Sequence, residues 1–179
     1  MSTIEIISTV LVAAFTATAA VIDSRTRRLP NWLTVPAVLL GLVFHTATGG
    51  LSGLGLSLAG LATGFGILFV LWLIGGSGGG DVKLMAALGA WVGFTPILIV
   101  FFLSAMVAAL GGTFVLGVRA IGRGWYRVRP VFDPMKKKKT RRPTVEQKSR
   151  RRLLPYAVPV ALSTWLMLVW QILLEGAVR

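Results

Sequence analysis

Residues 54–74 read LGLSLAGLATGFGILFVLWLI and contain no charged side chain. A helix needs about 20 consecutive apolar residues to cross the hydrocarbon core of a bilayer, so this stretch predicts a transmembrane helix. It contains Gly60 and Gly64, whose spacing is that of the GxxxG pattern that lets two membrane helices approach closely. We expect these two glycines to serve helix packing.

The rest of the chain has the same apolar character. Of its 179 residues, 55% are hydrophobic and 14% are charged, whereas about a quarter of the residues of a typical soluble domain are charged. We therefore predict an all-α polytopic membrane protein, built as a single membrane-embedded domain over residues 1–179. About six transmembrane helices are expected, at 6–22, 32–48, 54–74, 84–95, 97–118 and 156–174.

The positive charges predict the orientation of these helices. The chain has 19 Lys and Arg against 6 Asp and Glu, and most of the basic residues lie in two segments, 25–28 and 119–152. Loops rich in Lys and Arg stay on the cytoplasmic side, and six crossings place both segments there. We expect 119–154 to form a basic cytoplasmic loop, with anionic lipid headgroups as partners of 119–152. Aromatic side chains are few in that segment, so nucleic acid is not expected as a partner.

Two aspartates are in positions that suggest chemistry. Asp23 ends the first predicted span, and Asp81 follows the glycine-rich residues 75–80 at the start of the fourth. Ionisable residues at a membrane span are costly and are functional candidates by default. The predicted topology puts both at the cytoplasmic edge, where two neighbouring carboxylates would share a proton and act as general acid and base.

Several residues beside the aspartates are predicted to support the site. Glycines without side chains let a peptide approach Asp81 closely. Lys83 either acts on Asp81 or the substrate, or extends to the headgroups, and Asn31 is expected to cap the second span. With no cysteine and a single histidine, neither a metal site nor a cofactor is expected. The full set of supporting candidates is Gly78, Gly79, Gly80, Lys83, Pro30 and Asn31.

Two motifs carry a resemblance to a known family. Asp23 is followed, after six residues, by Pro30-Asn31, and Asp81 ends the run Gly78-Gly79-Gly80-Asp81. This order resembles the aspartate motifs of the prepilin peptidases, the type IV leader peptidases, whose second motif is GxGD. Residues 155–159 (PYAVP) also resemble the start of the family's last span. The similarity runs in order over nearly the whole chain.

The resemblance implies a membrane aspartic endopeptidase with Asp23 and Asp81 as its catalytic pair. Such an enzyme cleaves the short basic leader of prepilin or pseudopilin precursors at the cytoplasmic edge of the cell inner membrane. The sequence is similar to the short, peptidase-only forms associated with Flp-type pili, which lack an N-terminal segment with paired cysteines. The larger enzymes also N-methylate the new terminus with S-adenosylmethionine, and for this chain that activity is left open.

The residues by themselves are compatible with two other kinds of protein. A small transporter or channel component would use Asp23 and Asp81 as a proton relay. A non-enzymatic assembly scaffold would use the basic loop to hold lipid or partner proteins. Replacement of the carboxylates and an assay of leader cleavage distinguish the three.

Overall fold

The computed structural model describes residues 3–26, 29–75, 77–122 and 156–177, and these are helical with no strand among them. Four helices are long and apolar enough to cross a membrane, which confirms the all-α, multi-pass class. The five helices are α1 (Thr3–Thr26), α2 (Asn31–Leu73), α3 (Gly79–Val92), α4 (Phe94–Gly122) and α5 (Ala157–Ala177).

Helix α2 is folded into two arms at Gly50, whose backbone is not helical (φ 59°, ψ −143°). A Cβ atom at Gly53 would overlap the carbonyl oxygen of His45, although eight residues of straight helix would separate the two by about 12 Å. The chain therefore turns back on itself. The first arm (31–49) and the second arm (51–73) correspond to the predicted spans at 32–48 and 54–74.

Helix α3 lies at the centre of the bundle and is buried from Leu84 to Trp91. Both arms of α2 pack against it. The glycines Gly60 and Gly64 of the second arm contact the backbone of α3 so closely that a Cβ atom on either would overlap a carbonyl oxygen. The packing role predicted for this glycine pair is confirmed.

The boundaries of α3 differ from the prediction of 84–95. The helix starts at Gly79 and ends at Val92, and its 14 residues span about 21 Å. Gly93 alone separates it from α4, with a positive φ of 82°. Residue 96 separated the predicted spans at 84–95 and 97–118, but Pro96 lies in the first turn of α4, where a missing backbone N–H costs nothing.

Helices α1 and α5 run antiparallel along one side of the bundle. The indole Nε1 of Trp165 donates to the hydroxyl of Thr16 at 3.1 Å, and the backbone N–H of Ala157 donates to Asp23 at 3.1 Å. Helix α4 joins this side through the hydroxyls of Ser104 and Tyr156, which are 3.3 Å apart. The long-range contacts of α5 thus tie the end of the chain to its beginning.

Residues 119–122, which were predicted to open the basic loop at 119–154, instead form the last turn of α4. The segment 123–155 lies outside the described residues.

Candidate active site

Asp23 lies in the last two turns of α1 and is buried, with 7% of its surface exposed. Its Oδ2 accepts the backbone N–H of Ala157 at 3.1 Å, and Ala157 is the first residue of α5. The first N–H groups of a helix have no partner within that helix, so Asp23 supplies an acceptor from the opposite end of the chain. Sequence reasoning missed this bond: Pro155-Tyr156 before an apolar run indicated a helix start, but not which residue caps it.

Asp81 is the third residue of α3 and is as buried as Asp23, with 7% of its surface exposed. Its Oδ2 accepts the backbone N–H of Gly78 at 2.9 Å. Gly78 precedes α3 in an extended conformation, so this bond is the acidic half of a capping box. The motif at residues 78–81, which predicted a catalytic aspartate, therefore also forms the start of α3.

The two aspartates lie at the same end of the bundle. Val12 of α1 and Trp91 of α3 line one cavity of about 250 Å³ at the other end. Asp23 follows Val12 by eleven residues, and Asp81 precedes Trp91 by ten. Each aspartate therefore lies about 16 Å along its helix from this cavity. Leu29, in the loop after α1, also lies against Gly80, whose Cβ position is 3.6 Å from that of Leu29.

Each buried carboxylate faces the start of a helix: Asp23 faces α5 and Asp81 faces α3. Backbone N–H groups and the positive end of the helix dipole both stabilise negative charge there. A buried carboxylate needs such partners to be tolerated. These contacts therefore stabilise the two buried carboxylates at one end of an otherwise apolar bundle.

Lys83 and Asn31 meet in the structure. The Nζ of Lys83 donates to Oδ1 of Asn31 at 2.6 Å, on an exposed face. This bond joins the start of α2 to the first turns of α3. This bond is not among the roles predicted for Lys83.

The prediction that Asn31 caps the second span is wrong. The N-cap of α2 is Pro30, in an extended conformation and without a side-chain cap bond. An N-cap residue must be extended so that its side chain can reach back to the free N–H groups. Asn31 is already the first helical residue, and its amide oxygen binds Lys83 instead.

The glycines before Asp81 leave space around the backbone. Gly79 is exposed, and the nearest atom to a Cβ there would be the indole nitrogen of Trp72 at 3.9 Å. Gly80 makes only ordinary contacts, with Leu29. An approach of a peptide to this backbone remains a prediction.

Within the described residues no group of three His, Cys, Asp or Glu could hold a metal ion. The Nε2 of His45 lies 2.8 Å from the carbonyl oxygen of Trp91. The chain's single histidine therefore joins the first arm of α2 to the end of α3.

Comparison with known proteins gives one family and a set of relatives. The model of the type IV leader peptidase family matches residues 10–113. A prepilin leader peptidase/N-methyltransferase of Escherichia coli K12 is 41% identical over 105 residues, which are 55% of this chain and 44% of that protein. Proteins of the same name from Neisseria gonorrhoeae and Xanthomonas campestris are 31% and 35% identical over 64% and 70% of this chain.

The chain spans less than half the length of these relatives, since the matched regions cover 44%, 46% and 45% of them. No solved structure matches the chain. The family model covers both Asp23 and Asp81.

Proposed function

This chain belongs to the type IV leader peptidase family, and on that basis we propose that it is a membrane aspartic endopeptidase that cleaves the short basic leader of a type IV pilin-like precursor. The observation that carries the proposal is the pair of buried carboxylates, Asp23 and Asp81, at one end of the helical bundle. The proposal covers peptide cleavage and leaves N-methylation, which the relatives' names include, outside it.

Two carboxylates that share one proton perform this hydrolysis without a cofactor. The ionised member of the pair takes a proton from a water molecule, whose oxygen attacks the carbonyl carbon of the scissile peptide bond. The protonated member donates to the carbonyl oxygen, and a proton then passes to the leaving nitrogen as the C–N bond breaks. The two carboxylates act as one unit, so neither residue is assigned as the base alone.

Gly78, Gly79 and Gly80 would receive the extended peptide beside Asp81, since Gly79 leaves open space at its Cα. Lys83 and Asn31 would hold the loop that carries Pro30 against α3 through their 2.6 Å bond. This loop follows α1, the helix that carries Asp23, so the bond keeps the two parts of the site together.

The proposed location is the cell inner membrane, crossed six times, with the two aspartates at the cytoplasmic side. The two apolar arms of α2 and the basic residues at 25–28 and 119–152 support it. Reporter fusions after Ser24 and within 136–139 should both report the cytoplasm, and a fusion near Gly50 should report the outside. Opposite locations for the two basic segments would contradict the six-crossing topology.

We also propose that residues 1–179 form one membrane-embedded domain, whose basic segment 119–152 lies on anionic lipid headgroups. Each Lys or Arg near such a surface contributes about 1 kcal/mol at most, and less in salt. The segment therefore supports membrane attachment, and chemistry is not assigned to it.

The decisive experiment is cleavage of a precursor by the full chain in lipid nanodiscs. The substrate carries a short basic leader, a glycine and an apolar helix, and mass spectrometry reads the new terminus. Asp23→Asn and Asp81→Asn should each lower the cleavage rate by roughly 10²- to 10⁴-fold, the contribution of general acid–base catalysis. The double variant should be little slower than either single one, because the two groups act as a unit.

Glu5→Gln is the matched control, since Glu5 is an exposed acid at the opposite end of α1. It should cleave at the wild-type rate. Near wild-type cleavage by either aspartate variant would refute the aspartic-peptidase proposal. A wild-type chain that moves protons across the bilayer but cleaves no precursor would favour the relay.

A further inference from the structure

The start of α5 is joined by hydrogen bonds to two other helices. The backbone N–H of Ala157 donates to Oδ2 of Asp23 on α1 at 3.1 Å, and the hydroxyl of Tyr156 lies 3.3 Å from that of Ser104 on α4. Tyr156 and Ala157 are neighbours in the chain, so a single peptide unit connects the two contacts. The start of α5 therefore links α4 to one of the two candidate catalytic aspartates.

A third hydrogen bond shows which hydroxyl of this pair is the donor. Ser104 is fully buried, and its hydroxyl donates to the carbonyl oxygen of Phe101 at 2.9 Å. A serine hydroxyl has one hydrogen to donate, and its oxygen also accepts. The Tyr156 hydroxyl is therefore the donor to Ser104, and it reaches a buried atom inside the bundle.

The peptide unit between Tyr156 and Ala157 is hydrogen-bonded at both of its ends. The carbonyl oxygen of Tyr156 accepts the backbone N–H of Val160 at 3.3 Å, and the N–H of Ala157 donates to Asp23. Because a trans peptide unit is planar, its C=O and N–H groups point in opposite directions. The direction of the Ala157 N–H thus depends on where α5 begins, which is the point that the Tyr156 side chain ties to α4.

We propose that Tyr156 is a positioning residue: its hydroxyl, bound to Ser104, places the N–H of Ala157 against Asp23 and so holds this carboxylate in the orientation that cleavage requires. The inference rests on the proposed peptidase activity, and Tyr156 itself forms and breaks no covalent bond. A misplacement of about 1 Å at a catalytic group can cost roughly 10²-fold in rate. One hydrogen bond between neutral groups, acting through Ala157, should contribute less than that.

The first test compares Tyr156→Phe and Ser104→Ala in the full chain, in lipid nanodiscs, with the pilin-like precursor as substrate. Each variant removes one hydroxyl of the pair, so kcat per folded molecule should fall by roughly 3- to 10-fold, as for loss of one neutral hydrogen bond, while KM stays near wild type. The double variant should be no slower than the slower single variant, because both changes remove the same bond.

Hydrogen exchange tests the contact to Asp23 without any substrate. In the segment PYAVP at 155–159, the two prolines have no backbone N–H, so residues 156–158 carry its exchangeable amides. Tyr156→Phe should speed exchange of the Ala157 amide, because a less firmly held hydrogen bond opens more often. Mass spectrometry of overlapping peptides measures this rate.

Thr16→Val is the matched control for a bond between the same two helices. Thr16 is buried, and its hydroxyl accepts the indole N–H of Trp165 at 3.1 Å. Trp165 follows Ala157 by eight residues, or about 12 Å along α5. Thr16→Val should lower the melting temperature but keep the wild-type kcat per folded molecule and the wild-type exchange rate at Ala157.

Ser163→Ala is the matched control for loss of a buried serine hydroxyl. Ser163 is as buried as Thr16, with 1% of its surface exposed, and its hydroxyl donates to the carbonyl of Pro159 within α5 at 2.8 Å. This variant should keep the wild-type kcat. Tyr156→Phe retains the aromatic ring, so it carries the test if Ser104→Ala does not fold.

Three results would overturn the inference. The first is a Tyr156→Phe variant in which either kcat or the exchange rate at Ala157 stays at the wild-type value. The second is a raised KM at unchanged kcat, which would mean that Tyr156 contacts the peptide. The third is an equal loss of kcat in Thr16→Val, which would mean that any bond between α1 and α5 has this effect.

Failure of the proposed peptidase activity gives a different result. Wild type and Asp23→Asn run in the same cleavage assay, so a wild-type chain that does not cleave refutes the peptidase proposal. The exchange rate at Ala157 then still decides whether the Tyr156 hydroxyl holds the contact to Asp23.

Discussion

At the scale of single residues, side-chain type and local position were enough to select Asp23 and Asp81. Both are acids at the ends of apolar runs, where a carboxylate is expensive without a function. The hydrogen bonds of these two aspartates were harder to predict from the sequence. The bond of Asp81 to Gly78 is local and follows from its place in the first turn, whereas the bond of Asp23 to Ala157 joins residues 134 positions apart.

The bond between Lys83 and Asn31 leads to a prediction at the same scale. Asn31→Ala and Lys83→Ala should each lower the melting temperature slightly, and the double variant should be no worse than the larger single effect. The pair is exposed, so its coupling energy should be at most about 1 kcal/mol. Thermal unfolding of the four proteins in detergent gives this coupling through a double-mutant cycle.

Ser52→Ala combined with Lys83→Ala is the control cycle. The Ser52 hydroxyl donates to the carbonyl of Gly49, near the turn of α2 and away from Lys83, so these two changes should add. Additive effects of the Asn31 and Lys83 variants would show that their hydrogen bond contributes nothing to stability.

At the scale of helices, α2 shows how one backbone position shapes an apolar sequence. The predicted spans at 32–48 and 54–74 were recognised from hydropathy, and the structure joins them through the single non-helical residue Gly50. A residue with φ near +59° is strongly biased towards glycine. The turn therefore depends on Gly50 and also on Gly53, where a Cβ atom would overlap the carbonyl oxygen of His45, whereas Gly49 has open space around it.

We expect Gly50→Ala to destabilise the protein by about 1–3 kcal/mol, because alanine is strained in this backbone conformation. Gly49→Ala is the matched control: its neighbour has the unusual φ, and a Cβ atom at Gly49 meets nothing within 4 Å. That change should be neutral or slightly stabilising. Melting temperatures in one detergent measure both, and equal values for the two variants would mean that the turn does not require the positive φ.

At the scale of the whole molecule, the site exists because the chain brings α1 and α3 together at one end. The loop after α1 lies on the start of α3 through Leu29 and Gly80, whose Cβ positions are 3.6 Å apart. That separation falls within the Cβ–Cβ range of a disulfide, about 3.5–4.5 Å. The chain contains no cysteine, so any disulfide within it must form between the two introduced cysteines.

The double variant Leu29→Cys with Gly80→Cys should therefore form a disulfide readily under mild oxidation in the membrane. Leu29→Cys with Gly79→Cys is the matched control, because no atom of Leu29 lies among the close neighbours of Gly79. Cross-linking is read as a mobility shift after cleavage between the two positions. Equal or greater cross-linking of the control pair would contradict this arrangement of the two aspartate-bearing segments.

The sequence by itself determined the helical membrane class, the two arms of α2 as apolar runs, the packing glycines and the pair of acids. These depend on local quantities: the length of an apolar run, the charge of a short loop and the backbone freedom of glycine. Only the tertiary structure decided that Asp23 caps α5 and that Asn31 binds Lys83 instead of capping α2. Hydrogen bonds between helices depend on how the helices are placed against one another, which residue type and spacing along the chain do not specify.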